Sequence, residues 1–136
     1  MANVMIHVWG TEANGVHNNG SSPTISDMVL TASGLWTCGV ANDSSSSTLT
    51  HATITTSMDY EDSHGICNQA DGGSYTVRVN NSQITSLGNT IINDAEFTTR
   101  VGASQLAGGA VITGGGTVTC AGVYDENYVF RASTCP

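Results

Sequence analysis

The stretch LGNTIINDAEFTTRVGA, residues 87–103, carries the densest set of local structural signals in the chain. Asn93 is a residue type that caps helix N-termini, and Glu96, three positions later, completes the pattern of a capping box. Apolar residues on both sides of the cap have the spacing of a hydrophobic staple. Gly102 then gives a stop signal. The stretch therefore predicts a loop, a helix over residues 94–101 and a return to strand.

A second short helix is predicted over residues 23–33. Pro23 would take the first helical position, where its missing N–H costs nothing. The apolar residues that follow recur at helical spacing. A strand is the alternative for this segment, because Met28, Leu30 and Ala32 also alternate with more polar residues.

Most of the remaining chain is rich in Thr and β-branched residues and predicts strands. The clearest alternation runs from Tyr75 to Val79 and places Tyr75, Val77 and Val79 on one face. Further strands are predicted over residues 4–9, 35–41, 49–58, 109–113, 116–123 and 127–133. No internal repeat period is apparent.

Two helices among strands predict an α+β fold, a two-layer sandwich with an antiparallel sheet and two short helices. With 136 residues and 39% hydrophobic content, we expect one domain spanning residues 1–136. The alternative is an all-β sandwich, because Thr is abundant while Leu, Lys and Glu are scarce. In that case the stretch 87–103 forms two strands, with Phe97, Thr99 and Val101 on one face.

The charge balance narrows the range of partners. The chain has three Lys and Arg residues, all of them Arg, against eleven acidic residues, for a net charge of −8. A phosphate backbone would be repelled, so we expect no nucleic-acid partner, and the same deficit argues against anionic membrane surfaces. An uncharged ligand such as a neutral glycan is compatible with this composition.

Four cysteines, Cys38, Cys67, Cys120 and Cys135, match no paired CxxC metal signature. An even number in a short chain favours two disulfides and an oxidising compartment, with free buried thiols as the alternative. Of the three possible connectivities, we favour Cys38–Cys67 and Cys120–Cys135, because each closes a modest loop between neighbouring predicted elements. We therefore expect a secreted, extracellular protein. The first residues, MANVMIHVWG, predict neither a signal peptide nor a membrane span.

Five short segments carry a resemblance to known families: Leu35-Trp36, Gly65-Ile66-Cys67, Leu87-Gly88-Asn89, Arg100-Val101-Gly102-Ala103 and Gly116-Thr117-Val118-Thr119-Cys120. In this order they resemble small secreted fungal proteins of the killer-toxin and necrosis-inducing effector type, and the mushroom lectins with an αββαβ layout. The resemblance implies an α+β fold and a function in glycan binding or cytotoxicity.

The segment LAGGAVITGGGTVTC is similar to the small acidic fungal ribonucleases. In that family a general-acid histidine would follow VIT, and this chain has Gly114 at that position. We therefore expect no catalytic residue. A metal site is not expected either, because no HExxH motif occurs and the acidic residues lack the spacing of an EF-hand loop.

Two surface segments combine aromatic rings with hydrogen-bonding side chains, which suits sugar rings and their hydroxyls. The candidate ligand-binding residues are Tyr124, Asp125, Glu126, Asn127 and Tyr128 in one segment, and Asp59, Tyr60 and Glu61 in the other. The alternatives are a structural turn for the first and a solvated acidic loop for the second. Trp36, beside Cys38, is expected in the core.

The sequence thus predicts a small secreted, disulfide-stabilised binding protein, lectin-like and specific for neutral glycans. A secreted cytotoxic or necrosis-inducing effector is the alternative, and a small acidic ribonuclease-like enzyme is the third reading. We expect a glycan or glycoprotein partner and no cofactor, and a homodimer is compatible with the sequence.

Overall fold

The computed structural model describes residues 4–57 and 63–136, and within those ranges it contains strands and no helix. The predicted α+β sandwich with two short helices is therefore wrong. The all-β alternative is correct about the fold class, but the strands do not form a sandwich. They wind as a β-solenoid whose sheets are parallel.

The strands of the described chain have the following bounds: β1 Val4–Trp9, β2 Asn14–Asn19, β3 Thr24–Ser26, β4 Met28–Ser33, β5 Cys38–Asp43, β6 Thr48–Thr50, β7 Thr53–Ser57, β8 His64–Gln69, β9 Tyr75–Asn80, β10 Gln83–Asn89, β11 Ile91–Asp94, β12 Phe97–Gly102, β13 Gln105–Gly109, β14 Ile112–Gly114, β15 Thr117–Ala121, β16 Val123–Tyr124 and β17 Phe130–Arg131.

From β1 to β16, every third strand belongs to the same sheet, and β17 is added at the end of sheet A. Sheet A has the order β1-β4-β7-β10-β13-β16-β17, sheet B the order β14-β11-β8-β5-β2, and sheet C the order β15-β12-β9-β6-β3. Each coil of the solenoid therefore contributes one strand to each sheet, and the first coil is β1 to β3. All neighbours pair in parallel except β16 and β17, which pair antiparallel.

The first two coils repeat with an offset of 24 residues, since Asn18 lies against Asn42 and Val4 is in register with Met28. The expectation that the chain has no repeat period is therefore wrong for these coils. Later coils differ in length, with offsets of 30 between Ala52 and Ser82 and 22 between Ser82 and Ser104. Insertions and deletions between strands conceal the period in the sequence.

Equivalent inward positions of successive coils stack to form the core. In sheet A, Leu30, Ile54, Ile84 and Leu106 are in register on neighbouring strands, and each is at most 1% exposed. Burial of an aliphatic side chain of this size contributes about 1.5–3 kcal/mol relative to exposure. The core is thus a set of apolar columns along the solenoid axis.

A ladder of asparagines runs through the interior beside sheet B. The side-chain amide of Asn18 donates to Asn42, that of Asn42 to Asn68, and that of Asn68 to Asn93, each at 2.8 Å. The amide of Asn93 then donates to the carbonyl oxygens of Phe97 and Thr117 at 2.9 and 3.0 Å. The ladder satisfies buried polar groups that would otherwise cost about 1–3 kcal/mol each.

This ladder explains why the helix predicted over 94–101 does not form. The side chain of Asn93 makes its hydrogen bonds at the end of the ladder and does not cap a helix. Glu96 lies in the turn between β11 and β12. Phe97, Thr99 and Val101 are buried on one face of β12, as the all-β alternative predicts.

The helix predicted over 23–33 is also absent, because Asp27 has a φ of 54° and separates β3 from β4. The strand alternative is confirmed, with Met28, Leu30 and Ala32 buried. The left-handed corner recurs in each coil between sheets C and A, at Asp27, His51, Asn81, Ala103 and Gly122. The predicted Tyr75–Val79 strand is confirmed as part of β9.

The disulfides are Cys38–Cys67 and Cys120–Cys135, which confirms the favoured pairing. The first links β5 to β8 in neighbouring coils. The second links β15 to the C-terminal segment that follows β17. Both bonds therefore hold parts of the solenoid that are close in space but separated by 29 and 15 residues in the chain.

Candidate binding groove on sheet B

A groove with a volume of about 460 Å³ crosses the outer face of sheet B. The side chains and backbone atoms that line it come from β2, β5, β8 and β11 and from the turns that precede the first two of these strands. The lining residues are Glu12, Asn14, His17, Trp36, Cys38, Ala41, Asn42, Asp43, His64, Cys67, Gln69 and Ile92.

The middle of the groove is apolar. Ala41, Cys67 and Ile92 occupy successive strands at the same register, and the Cys38–Cys67 disulfide bridges two of those strands. The polar ring of His17 continues the row on β2. Since strands in a sheet are spaced by about 4.8 Å, this row extends over several strand spacings. A flat apolar strip of this kind can receive the hydrophobic face of a ring.

Trp36 lies at the rim with 59% of its surface exposed, so the expectation that it belongs to the core is wrong. Its φ of 53° is a left-handed conformation, which L residues adopt rarely. The equivalent corner of the preceding coil, Glu12, has a φ of 57°, and its N–H donates to Leu35 O at 2.8 Å. The stacked corner therefore turns both side chains to the groove.

His64 begins β8, and its Nδ1 accepts a hydrogen bond from the backbone N–H of Asn89 at 3.2 Å. This bond requires Nδ1 to be unprotonated, so a neutral His64 carries its proton on Nε2. The ring is held between neighbouring coils, and its lining position gives the groove a fixed polar group.

Carboxylates and an amide continue the groove towards sheet C. A second depression of about 280 Å³ is lined by Asp43, Gln69, Ala70, Asp71 and Asp94, so Asp43 and Gln69 line both. Asp43 and Gln69 are register partners on β5 and β8, and Asp94 follows Asn93, the register partner of Asn68, on β11. Among residues 4–57 and 63–136, no group of three or more His, Cys, Asp or Glu residues could hold a metal ion.

The predicted Tyr124–Tyr128 surface lies at the C-terminal end of sheet A and contributes nothing to the lining of the groove. Asp125 is only 5% exposed. Its carboxylate accepts hydrogen bonds from the N–H groups of Val129 and Asn127, both at 2.9 Å, and from the Arg131 guanidinium at 3.1 Å. The Val129 N–H above all, together with Arg131 and Asn127, lowers the pKa of Asp125. Asp125 therefore holds its own turn together.

The other four side chains of that segment are exposed. Tyr124 packs against Phe130 with ring centroids 5.4 Å apart, and Tyr128 is 72% exposed. Asn127 donates its side-chain amide to Glu126 at 3.3 Å. Ligand binding by the whole predicted segment stays a prediction, for Tyr124, Asp125, Glu126, Asn127 and Tyr128 alike.

Asp59, Tyr60 and Glu61, the second predicted surface, lie outside the described residues. The groove residues that sequence reasoning missed are Trp36, His17, Asp43 and Gln69. Aligning the first two coils would have provided a signal, because it brings Glu12 and Trp36 to one position and Asn19 and Asp43 to another.

Comparisons with protein-family models, with curated proteins and with solved structures gave no match. In the part of the chain that the structure describes, no helix is long and apolar enough to cross a membrane.

Proposed function

We propose that this β-solenoid is a lectin-like binding protein that holds a neutral glycan in the groove on sheet B. The observation that carries this proposal is the exposed indole of Trp36 at the rim of a groove whose middle is apolar and whose edges are polar. Indole faces stack on the C–H faces of sugar rings, and amides and carboxylates bond the hydroxyls at the ring edge.

The polar edges favour an uncharged sugar. Glu12, Asp43 and Asp71 line the groove and its continuation, and Asn14 and Gln69 supply amides. A phosphate, sulfate or uronate group would be placed beside carboxylates and repelled, whereas hydroxyl groups can donate to them. The two disulfides support an extracellular location, because such bonds persist in oxidising compartments.

The test is a glycan array of neutral sugars, followed by calorimetric titration of the best ligand with matched tryptophan variants. Trp36→Ala should weaken binding about tenfold or more, because a buried aromatic anchor typically contributes 2 kcal/mol or more. Trp9→Ala is the control, since Trp9 is 80% exposed on sheet A and lies outside the groove. It should bind as the wild type does.

Three outcomes would overturn this assignment. The first is that no neutral glycan binds. The second is that the two tryptophan variants lose affinity equally. The third is that Tyr128→Ala abolishes binding while Trp36→Ala does not. The last outcome would move the site to the Tyr124–Tyr128 segment.

A secreted cytotoxic effector is the second candidate. It is supported by the two disulfides in a small all-β chain, which favour an extracellular protein whatever its ligand. The effector is favoured if the wild type kills cells, if Trp36→Ala kills them equally well, and if added glycan does not reduce the killing. Absence of killing at saturating protein would remove it.

A further inference from the structure

Two of the three arginines of the chain stand side by side on the outer face of sheet C. Arg78 of β9 and Arg100 of β12 are partners in the parallel register, and both are exposed. Neighbouring strands are about 4.8 Å apart, so the two cationic side chains start from adjacent positions on one face. Like charges directly opposite each other destabilise a sheet.

Neither guanidinium is neutralised within the described chain. The contacts between basic and acidic side chains found there are His51 with Asp27 and Arg131 with Asp125, and no carboxylate of the described ranges pairs with Arg78 or Arg100. In a chain with eleven acidic residues and a net charge of −8, this face is locally cationic and unpaired. The fold thus tolerates a repulsion that an anionic ligand would relieve.

The arginine pair borders a depression of about 310 Å³ that is separate from the sheet B groove. The depression exists because Gly102 and Ala121 occupy the outward positions next to the arginines on β12 and β15. Asn80 and Thr119 also line it and offer an amide and a hydroxyl as further donors.

We propose that Arg78 and Arg100 form a binding site for a tetrahedral oxyanion, a sulfate or phosphate ester group of a ligand. Each guanidinium presents donors in a planar fork. A sulfate or phosphate ester group has three terminal oxygens that can accept from two guanidinium groups at once, whereas a carboxylate has two. The site goes beyond the neutral-glycan groove, since it lies on a different sheet and selects for the opposite property, negative charge.

The probes are dextran sulfate, phosphorylated dextran, carboxymethyl dextran and plain dextran, titrated with wild-type protein at low and at physiological ionic strength. The first two should bind, and more weakly as salt rises, while plain dextran should not bind. Sulfate and phosphate arms identify the source of the oxyanion. Carboxymethyl dextran should bind at least tenfold more weakly than either ester.

The variants are Arg78→Gln, Arg100→Gln and the double variant, with Gln83→Glu as the control. Gln83 is exposed on sheet A, and its change to Glu lowers the net charge by one, as each arginine change does. Each single arginine variant should bind the ester polymer tenfold or more weakly, and the double variant should show no binding. The control should stay within about twofold of the wild type, because long-range charge is screened.

Far-ultraviolet circular dichroism checks that each variant is folded. Arg78→Lys gives a second measurement: it keeps the charge, loses the fork and should bind with intermediate affinity. The proposal is overturned if the wild type binds neither ester polymer, if the arginine variants bind like the wild type, if Gln83→Glu loses as much affinity as they do, or if carboxymethyl dextran binds as tightly as the esters.

Discussion

Replacement of Asn68 by Ala should destabilise the solenoid far more than the same change at the edge of the asparagine ladder. Asn68 is fully buried; it accepts from Asn42 at 2.8 Å and donates to Asn93 at 2.8 Å and Thr99 at 3.0 Å. Alanine leaves the buried Asn42 amide without an acceptor, at a cost of about 1–3 kcal/mol, and removes two further hydrogen bonds worth about 1 kcal/mol each. The expected loss is about 3–5 kcal/mol.

Asn18→Ala is the matched control. Asn18 lies in β2, the edge strand of sheet B, is slightly exposed, and makes a single ladder bond to Asn42. Its replacement removes one hydrogen bond and the donor to the Asn42 oxygen, and should cost about 1–2 kcal/mol. The assay is equilibrium unfolding in urea followed by far-ultraviolet circular dichroism, with disulfides intact. If the two variants lose stability to within about 1 kcal/mol of each other, the ladder is not the stabilising device inferred from its geometry.

Three further perturbations probe the Asp125 turn, two glycines and the C-terminal disulfide. The fold favours the charged form of the Asp125 carboxyl, and its pKa is therefore lowered. Asp125 thus adds stability that is present above the ordinary carboxylate pKa and is lost as pH falls through the pKa of the folded state. Thermal melts should therefore show Asp125→Asn less stable than the wild type near neutral pH and the difference closing in acid; a constant difference would contradict this. Gly34→Ala should prevent folding, because its Cβ would overlap the backbone of the preceding coil, whereas Gly20→Ala meets nothing within 4 Å and should cost only about 1 kcal/mol of left-handed strain; soluble yield and circular dichroism decide. Removing the Cys120–Cys135 bond by a double change to Ala should cost about 3 kcal/mol in urea unfolding, since it closes a loop of about 15 residues, and an unchanged midpoint would refute that.

Local patterns predicted the strands well where burial follows alternation. Tyr75–Val79 and the alternation of Met28, Leu30 and Ala32 lie in strands because every second side chain enters the core. The cysteine pairing could also be predicted from the sequence, because short loops between neighbouring elements favour it.

Local sequence patterns could not predict which residues are in contact across neighbouring coils. Asn93 and Glu96 have the spacing of a capping box, but Asn93 is bound to Asn68 and Thr117, which are 25 and 24 residues away. Parallel stacking of coils outweighs helix propensity here, since each coil satisfies the backbone of the next. Unequal coil lengths hid this stacking.

The candidate groove illustrates the same limit. Trp36 and His64 are far apart in sequence and line one groove because β5 and β8 are neighbours in sheet B. No local motif marks either residue. The Asp125 segment, by contrast, has an evident local composition, and the structure shows that its central carboxylate supports the turn.

Glycan binding by the groove on sheet B is tested most directly by the fluorescence of single-tryptophan variants during titration with the glycan selected on the array. The chain has two tryptophans, so Trp9→Phe leaves Trp36 as the reporter and Trp36→Phe leaves Trp9. If the groove on sheet B binds glycan, Trp36 emission changes saturably, with the dissociation constant found by calorimetry, and Trp9 emission stays constant. A constant Trp36 signal during calorimetrically verified binding would contradict the claim.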